Sequence, residues 1–393
     1  MISERAKTVE AAATLAMSKL AKDMQANGID VINLGVGESN FQTPKRIAQA
    51  AIAAIQAEQT SFYTPTSGIK ALKQAIIDQV KQRFDADIAI SNVTVTTGAK
   101  LSLYALMQVL VNPEDTVVAA APLWVSYVEQ IKLAGGILHT VKPTNDELKL
   151  TVADLNALPQ KVKLVILNSP TNPTGQVYTR DEVTAILDWA NQHGAYIILD
   201  EIYGQLVYNG AVFTSGLQIQ ALENSRMIIV DGVSKAYAMT GWRIGWTLAS
   251  SDIISAMNKL LDHMTSNPTA VAQYAALAAL TGDQDSVEEM RLAFEDRLNA
   301  TYDLLNTVPG LQVAIKPQGA FYLFPKVTPE VLVAAGVKNT SELSMKILEE
   351  AHVAMPSGEG FGMPGYLRMG YAKDQTVLNE AVRRLTVFFE QYT

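Results

Sequence analysis

The sequence predicts an α/β protein, with a large part built on a mostly parallel central sheet covered by helices and a smaller α+β part drawn from both chain ends. Three observations carry this expectation. From Val93 to Asp231 short β-branched runs alternate with segments of helical period, the pattern of strands joined by crossover helices. In the final third the pattern changes to one long helical stretch followed by short strands among helices. The chain also has 393 residues, 48% hydrophobic and 18% charged, which is ordinary globular usage and enough for one large core or for a large and a small one.

The elements follow in order. The start, MISERAKTVEAAATLAMSKLAKDM, mixes charges with small residues and lacks the continuous apolar centre of an export signal. IDVINLGVGESNF reads as a strand entering from the N-terminus that can pair with a sheet built later in the chain. The strand candidates of the large part are VTVTT, TVVAAA, VKLVILN, AYIILD and RMIIVDG, with helices expected over 100–111, 125–134 and 181–193. Each of these helices is long enough for a right-handed crossover. Beyond them come a long helix over 286–306, the short strands LQVAI, FYLFP and LRMGYA, and a closing helix over 382–389. The expected division is 42–290 for the large part, and 1–41 with 291–393 for the small one. No Pro- or Ser-rich linker and no repeat interrupts the chain.

Composition narrows the function classes. Thirty-one Lys+Arg against 39 Asp+Glu give a formal charge of −8, and the charges are interspersed, which argues against a nucleic-acid partner. The longest apolar stretches, such as VVAAAPLWV, fall well short of the roughly 20 residues that span a bilayer. With no cysteine there are no disulfides or thiolate ligands, which fits a reducing cytoplasm, the expected location. His139, His193, His263 and His352 show no metal-ligand spacing, and no metal is expected. GFGMPG, over 360–365, satisfies G-x-G-x-x-G formally, but Pro364 and a strand-like LRMGYA follow it instead of a helix. It reads as a flexible substrate loop and not as a dinucleotide site.

Open α/β sheets bind ligands at the carboxyl ends of their strands, and three such ends here are chemically loaded. VKLVILN runs into SPTNPTG, AYIILD into EIYG, and RMIIVDG into VSKAYAMTGWRIG. Together they offer Asn172, Asp200, Tyr203, Lys235 and Arg243. Each has a bland reading: NPTG as a turn, Asp200 as a helix cap, Lys235 as a solvated amine, Arg243 as half of an ion pair. An acid, a phenol, an amide, an amine and a guanidinium in sequential strand-end loops are harder to dismiss together. TTGAK adds a strand-to-helix turn in which the amides of Gly98, Ala99 and Lys100 can meet a phosphate at the positive helix end.

On these segments the chain resembles the aspartate aminotransferase family, the pyridoxal-phosphate-dependent class I/II aminotransferases of fold type I, and within it the bacterial aspartate aminotransferases that carry MTGWR. The resemblance spans nearly the whole chain. It implies that Lys235 of SKAYAMTGWRIG holds pyridoxal 5'-phosphate covalently and, once freed, acts as the base, and that Arg243 binds the phosphate. It also implies that Asp200 faces the pyridine nitrogen and keeps it protonated, and that Tyr203 and Asn172 hydrogen-bond the ring oxygen. Trp124 of APLWVSY matches the aromatic residue stacked on the ring, with ordinary core packing as its alternative. The phosphate loop is Gly98, Ala99 and Lys100, with Ser234 counted beside it. Gly232 is a departure, because many relatives carry a phosphate-bonding serine there. Tyr63 of SFYTPTSGIKAL matches a tyrosine that reaches the phosphate of the neighbouring subunit, which implies a homodimer with shared active sites; its alternative is a Tyr packed on its own core.

For the substrate, Arg368 of GYLRMGYA matches the arginine that grips the α-carboxylate as a two-pronged donor, against the alternative of a strand arginine in a salt bridge. The Gly37 amide of GVGES is expected beside the same carboxylate. Lys100 places a cation on the first turn of a helix, against the dipole, and the resemblance gives it a second carboxylate to bind. Glu10 lies near where some relatives present a basic residue toward larger acidic substrates, which argues against prephenate. The expected reaction is transfer of an amino group between amino acids and 2-oxo acids in two half-reactions, with aspartate and 2-oxoglutarate as the favoured pair. An aromatic or broad-specificity aminotransferase and a C–S β-lyase stay open. A regulator's sensor domain is the non-enzymatic alternative, disfavoured because VINLGVGE begins too early for an upstream DNA-binding domain.

Overall fold

The computed structural model describes residues 2–10, 13–158 and 161–393. Its centre is a seven-stranded sheet. From one edge to the other run Val93–Thr96, Gly245–Leu248, Met227–Gly232, Tyr196–Asp200, Leu164–Asn168, Thr116–Ala120 and Ile137–Val141. Only Gly245–Leu248 is antiparallel to its neighbours. The five expected strands are all present. Two strands were not expected: Ile137–Val141, a partly exposed edge strand, and Gly245–Leu248, a four-residue strand hidden inside a glycine-bearing loop sequence.

Parallel strands are buried on both faces, so they read as continuous apolar runs whose alternate side chains go to opposite cores. Val165, Leu167, Ile197, Leu199 and Ile229 face one core. It is covered by the helices Lys45–Gln56, Lys70–Phe84, Arg180–His193 and Ala270–Thr281. Leu164, Ile166, Ile198, Ile228 and Val230 face the other, under Ala99–Leu110, Val125–Ala134 and Ser251–Asp262. Local chemistry sets the ends of these helices. Arg180–His193 opens on a capping box between Thr179 and Glu182 and closes on Gly194 at φ 64°, while Val125–Ala134 closes on Gly135 at φ 82°.

A separate core lies under the long helix Asp285–Leu305, where Phe294, Leu298 and Leu305 pack with Phe321, Leu323, Ile347, Leu378 and Phe389. The N-terminal strand Ile32–Asn33 pairs in parallel with Val353–Ala354, so a segment from the start of the chain does join a sheet built near its end. LQVAI, FYLFP and LRMGYA contribute only two-residue strands, Leu311–Gln312, Tyr322–Leu323 and Met369–Gly370. Val313, Phe321, Phe324, Leu367 and Tyr371 are buried as irregular chain while Ala314 and Ile315 are exposed, since each ladder is only two residues long. The closing helix starts earlier than expected and spans Gln375–Phe389. No helix of the described residues is long and apolar enough to cross a membrane.

The sheet register explains Gly232. It sits opposite Gly245 on the antiparallel neighbour, and a Cβ there would lie 2.8 Å from the Gly245 Cα and from the Ile244 carbonyl oxygen. Both are backbone atoms with no rotamer to escape into. Gly232→Ser is therefore expected to destabilise the protein by about 1–3 kcal/mol, the cost of overpacking a filled site. The check is the urea midpoint at unchanged denaturant slope, and an unchanged midpoint would show that the strand has room for a side chain.

Candidate active site

The carboxyl ends of the middle strands open into one cavity of about 470 Å³. It is lined by Asp200, Tyr203, Lys235, Asn172, Trp124 and Arg368, together with Gly37, Ala99, Lys100, Ser234 and Arg243. Residues scattered along the sequence thus share a single concave site. Three residues singled out earlier lie outside this lining. Gly98 borders it through Arg243, Glu10 lies in a neighbouring cavity, and Tyr63 points away into solvent.

Asp200 is the last residue of its strand, in register with Asn168 next door. Asn168 donates to the Asp200 carbonyl at 2.8 Å and accepts from the Asn172 amide at 2.8 Å, so one side chain ties the SPTNPTG loop to the strand end. The Asp200 carboxylate accepts from the Tyr127 hydroxyl at 2.6 Å and from the Ile202 amide at 3.3 Å. Burial pushes its pKa up to about 6, while these two donors and the Lys235 charge oppose the rise. The carboxylate is oriented, and a cation placed against it would hold it ionised.

Lys235 is half-buried in the wall of the cavity. Its Nζ donates to the Gly37 carbonyl at 2.6 Å, and burial, followed by the positive charges of Arg368 and Arg243, lowers its pKa to about 8. Such an amine is still mostly protonated near physiological pH but carries a far larger neutral, nucleophilic fraction than an ordinary lysine. The Tyr203 hydroxyl lies 2.9 Å from that of Tyr322.

Arg368, 3% exposed, is held by neutral groups. Its Nη1 donates to Asn172 Oδ1 at 3.1 Å and its Nη2 to the Gly35 carbonyl at 2.6 Å. The guanidinium lies between the rings of Tyr322 and Phe361, 4.6 and 4.9 Å from their centroids. Its Nε is buried without a partner. No carboxylate of the described residues neutralises it, so the salt-bridge reading does not hold and the fork is open to an anionic ligand. The segment 360–365 overlaps a tight turn, Gly358–Phe361, and the Phe361 carbonyl accepts from Leu123 N at 3.0 Å.

On the opposite side, Gly98, at φ 79°, caps the helix Ala99–Leu110. A side chain on Gly98 would run into the Arg243 guanidinium, and one on Gly245 into the Ala99 amide. The Arg243 guanidinium therefore lies directly against a helix N-terminus, and Arg243 Nη1 donates to the Thr240 carbonyl at 3.1 Å. The Gly98 amide, expected to face a phosphate, donates instead to the Thr96 carbonyl at 2.8 Å because the turn closes on itself, which leaves the amides of Ala99 and Lys100 with the Arg243 cation as the anion cradle. Lys100 Nζ stands 4.9 Å over the Trp124 ring. Partial desolvation, then the Arg243 charge, hold its pKa below the ordinary lysine value, although the side chain as a whole stays open to solvent. Trp124 is half-buried and meets Tyr127 edge to face at 5.4 Å. Glu10 is exposed; its amide donates to Glu129 Oε2 at 3.1 Å.

Residue-type reasoning passed over Tyr127, Asn168 and Tyr322. Tyr127 lies on the inner face of a helix and Tyr322 in an apolar strand, where both read as core; Asn168 closed a strand and carried no separate signal.

Comparison with known proteins settles the family. The family model described as Aminotransferase class I and II matches residues 29–385. The chain belongs to this family. It is 46% identical, over 99% of both chains, to an aspartate aminotransferase of Bacillus sp. (strain YM-2). It is 43% identical, again over 99% of both, to an asparagine–oxo-acid transaminase of Streptococcus mutans. The crystal structure of aspartate aminotransferase from Thermotoga maritima superposes with a TM-score of 0.90 at 34% identity, covering 99% of this chain and 100% of that one. The chain is an aminotransferase of the same mixed α/β architecture.

The depressed lysine yields a cofactor-independent expectation. Because its pKa lies near 8 instead of 10.5, the neutral fraction of Lys235 rises as pH climbs through about 8 and then levels off. Labelling of the cofactor-free protein by a small amine-reactive reagent, followed peptide by peptide with mass spectrometry, should show Lys235 reaching its plateau about two pH units before surface lysines. Coincident profiles would contradict the placement.

Proposed function

We propose that the enzyme uses pyridoxal 5'-phosphate to transfer the amino group of aspartate to 2-oxoglutarate in a ping-pong cycle. The observation that carries this reading is the Lys235 amine, buried and poised near pH 8, in one cavity with a buried acid and an arginine fork that lacks a carboxylate. The residues fit the cofactor. The cradle of Arg243 and the Ala99 and Lys100 amides suits a phosphate, Asp200 suits a ring nitrogen that carries a proton, and the orphan Nε of Arg368 suits a carboxylate at the other end. Ala99, Lys100, Ser234 and Arg243 would hold the phosphate, Asp200 the ring nitrogen, Tyr203 and Asn172 the ring oxygen, and Trp124 the ring face.

When bound, the cofactor supplies an electron sink for the breaking Cα–H bond. The chain supplies the rest. Arg368 and the neighbouring Gly37 amide orient the α-carboxylate, which turns an encounter into a fixed geometry. The Lys235 amine would take the proton from the substrate Cα and hold it as the ammonium until it is handed on within the site. Asp200, whose ionised form the Tyr127 hydroxyl favours, would hold a proton on a ring nitrogen placed against it.

Aspartate as donor is supported by the names of the relatives and by Lys100, a cation at the mouth of the site that is free to meet a second carboxylate. The Streptococcus mutans relative favours a second reading, asparagine as donor, whose amide would meet Lys100 without charge pairing. Two further readings complete the proposal. The enzyme works as a homodimer, supported by Phe62 and Tyr63, which stand 83% and 89% exposed side by side, so Tyr63 is not packed on its own core. The chain divides into 42–290 and 1–41 with 291–393, supported by the separate core around Phe294.

Borohydride reduction of the pyridoxal-phosphate-loaded protein should fix the label on the peptide containing Lys235, and Lys235→Ala should lose both label and turnover. A label elsewhere, or activity retained in the variant, would end the proposal. Single amino acids should then bleach the visible band in half-reactions, aspartate and glutamate fastest; faster conversion by asparagine or aromatic donors would reassign the substrate. Pyruvate and ammonia formed without any oxo acid would point to β-elimination instead. Lys100→Ala is expected to lower kcat/KM for aspartate roughly 10- to 100-fold, the scale of an ion pair of moderate burial, and to leave an aromatic donor within a few-fold. Equal losses would remove Lys100 from the specificity site.

A further inference from the structure

We propose that the Tyr322 hydroxyl is a positioning group for Tyr203, donating to the Tyr203 oxygen and so strengthening the hydrogen bond that Tyr203 gives to the cofactor's ring oxygen. The inference deepens the reading above and rests on it. The two hydroxyl oxygens are 2.9 Å apart in a buried setting. A phenol has one proton. With the Tyr203 proton committed to an acceptor-only ring oxygen, the Tyr203 oxygen can only accept, which leaves Tyr322 as the donor. Hydrogen bonds in series polarise one another, most effectively where water is excluded.

Tyr322 is held in place for this task. Its ring packs on the Arg368 guanidinium at 4.6 Å and meets the Tyr203 ring edge to face at 6.0 Å. Its hydroxyl sits against the Cα of Gly37, where no Cβ would fit, and the Gly37 carbonyl is the acceptor for Lys235. Tyr322–Leu323 pairs with Met369–Gly370, the strand that directly follows Arg368. One strand pair therefore carries both the group that receives the substrate carboxylate and the group that tunes the ring-oxygen bond. A stronger donor at the ring oxygen lowers the proton affinity of the linkage to Lys235 and keeps the resting enzyme reactive near neutral pH.

The test is a spectroscopic titration of the resting holoenzyme, which needs no turnover. In Tyr322→Phe the ring stays and only the hydroxyl is lost. The visible band should titrate at higher pH, with a proton affinity roughly two- to fivefold greater, the scale expected when one of two cooperative hydrogen bonds is removed. The same substitution in a Tyr203→Phe background should produce no further shift. Tyr322→Leu, which also removes the ring over Arg368, should in addition raise KM for amino and oxo acids, while Tyr322→Phe should leave KM within about twofold. Equal shifts in both backgrounds, no shift in either, or a KM rise in Tyr322→Phe matching that of Tyr322→Leu would overturn the inference. If wild-type protein develops no pH-dependent visible band with pyridoxal phosphate, the functional reading itself falls, and the two failures are distinguishable.

Discussion

Taking the Lys235 amine out of water and placing it near two guanidinium groups disfavours its charged form, so its pKa falls to about 8. The groups nearest to it are chosen accordingly. A backbone carbonyl, that of Gly37, accepts its hydrogen bond without supplying a charge. Asp200 lies far enough to steady the site electrostatically, yet it is a minor influence on the lysine compared with burial. Had a carboxylate paired with Lys235 directly, the amine would stay protonated and could not attack a carbonyl carbon.

The same low-polarity pocket that depresses the lysine raises the acid, and the fold answers with donors. Tyr127 and the Ile202 amide both point at the Asp200 carboxylate. Arg368 presents the complementary case, a buried cation held by Asn172, by the Gly35 carbonyl and by two aromatic faces, with one N–H unused. Burying a guanidinium on neutral partners is costly unless a ligand completes it. That cost makes the site selective for anions that reach Arg368.

The site also sits where the two cores meet. Tyr203, Leu206 and Tyr208 follow a strand of the central sheet but pack with Phe321 and Tyr322 in the core under the long helix. Asn172 comes from one side and Arg368 from the other, joined by a single hydrogen bond. Tyr322 packs on the Arg368 guanidinium and lies 2.9 Å from the Tyr203 hydroxyl, so the contacts around the arginine reach residues that follow the central sheet.

Local signals in the chain determined a good deal. The alternation of β-branched runs with helical period marked five strands of the sheet, since a parallel sheet must be apolar on both faces. The helices expected over 100–111, 125–134 and 181–193 begin and end within a residue of those bounds. Polar residues after strand ends nominated Asn172, Asp200, Tyr203, Lys235 and Arg243, because the carboxyl edge of such a sheet is where ligands go. What only the tertiary structure decided were contacts between residues far apart in sequence: Tyr127 on Asp200, Gly37 on Lys235, Tyr322 on Tyr203, and the closeness of Gly245 that keeps Gly232 bare. Strands such as Gly245–Leu248 belong to the same class, for a short glycine-flanked segment becomes a strand only when a partner ladder is already beside it. Periodicity and turn chemistry are properties of neighbours along the chain, whereas hydrogen-bond partners and steric room depend on how the layers come to rest on one another.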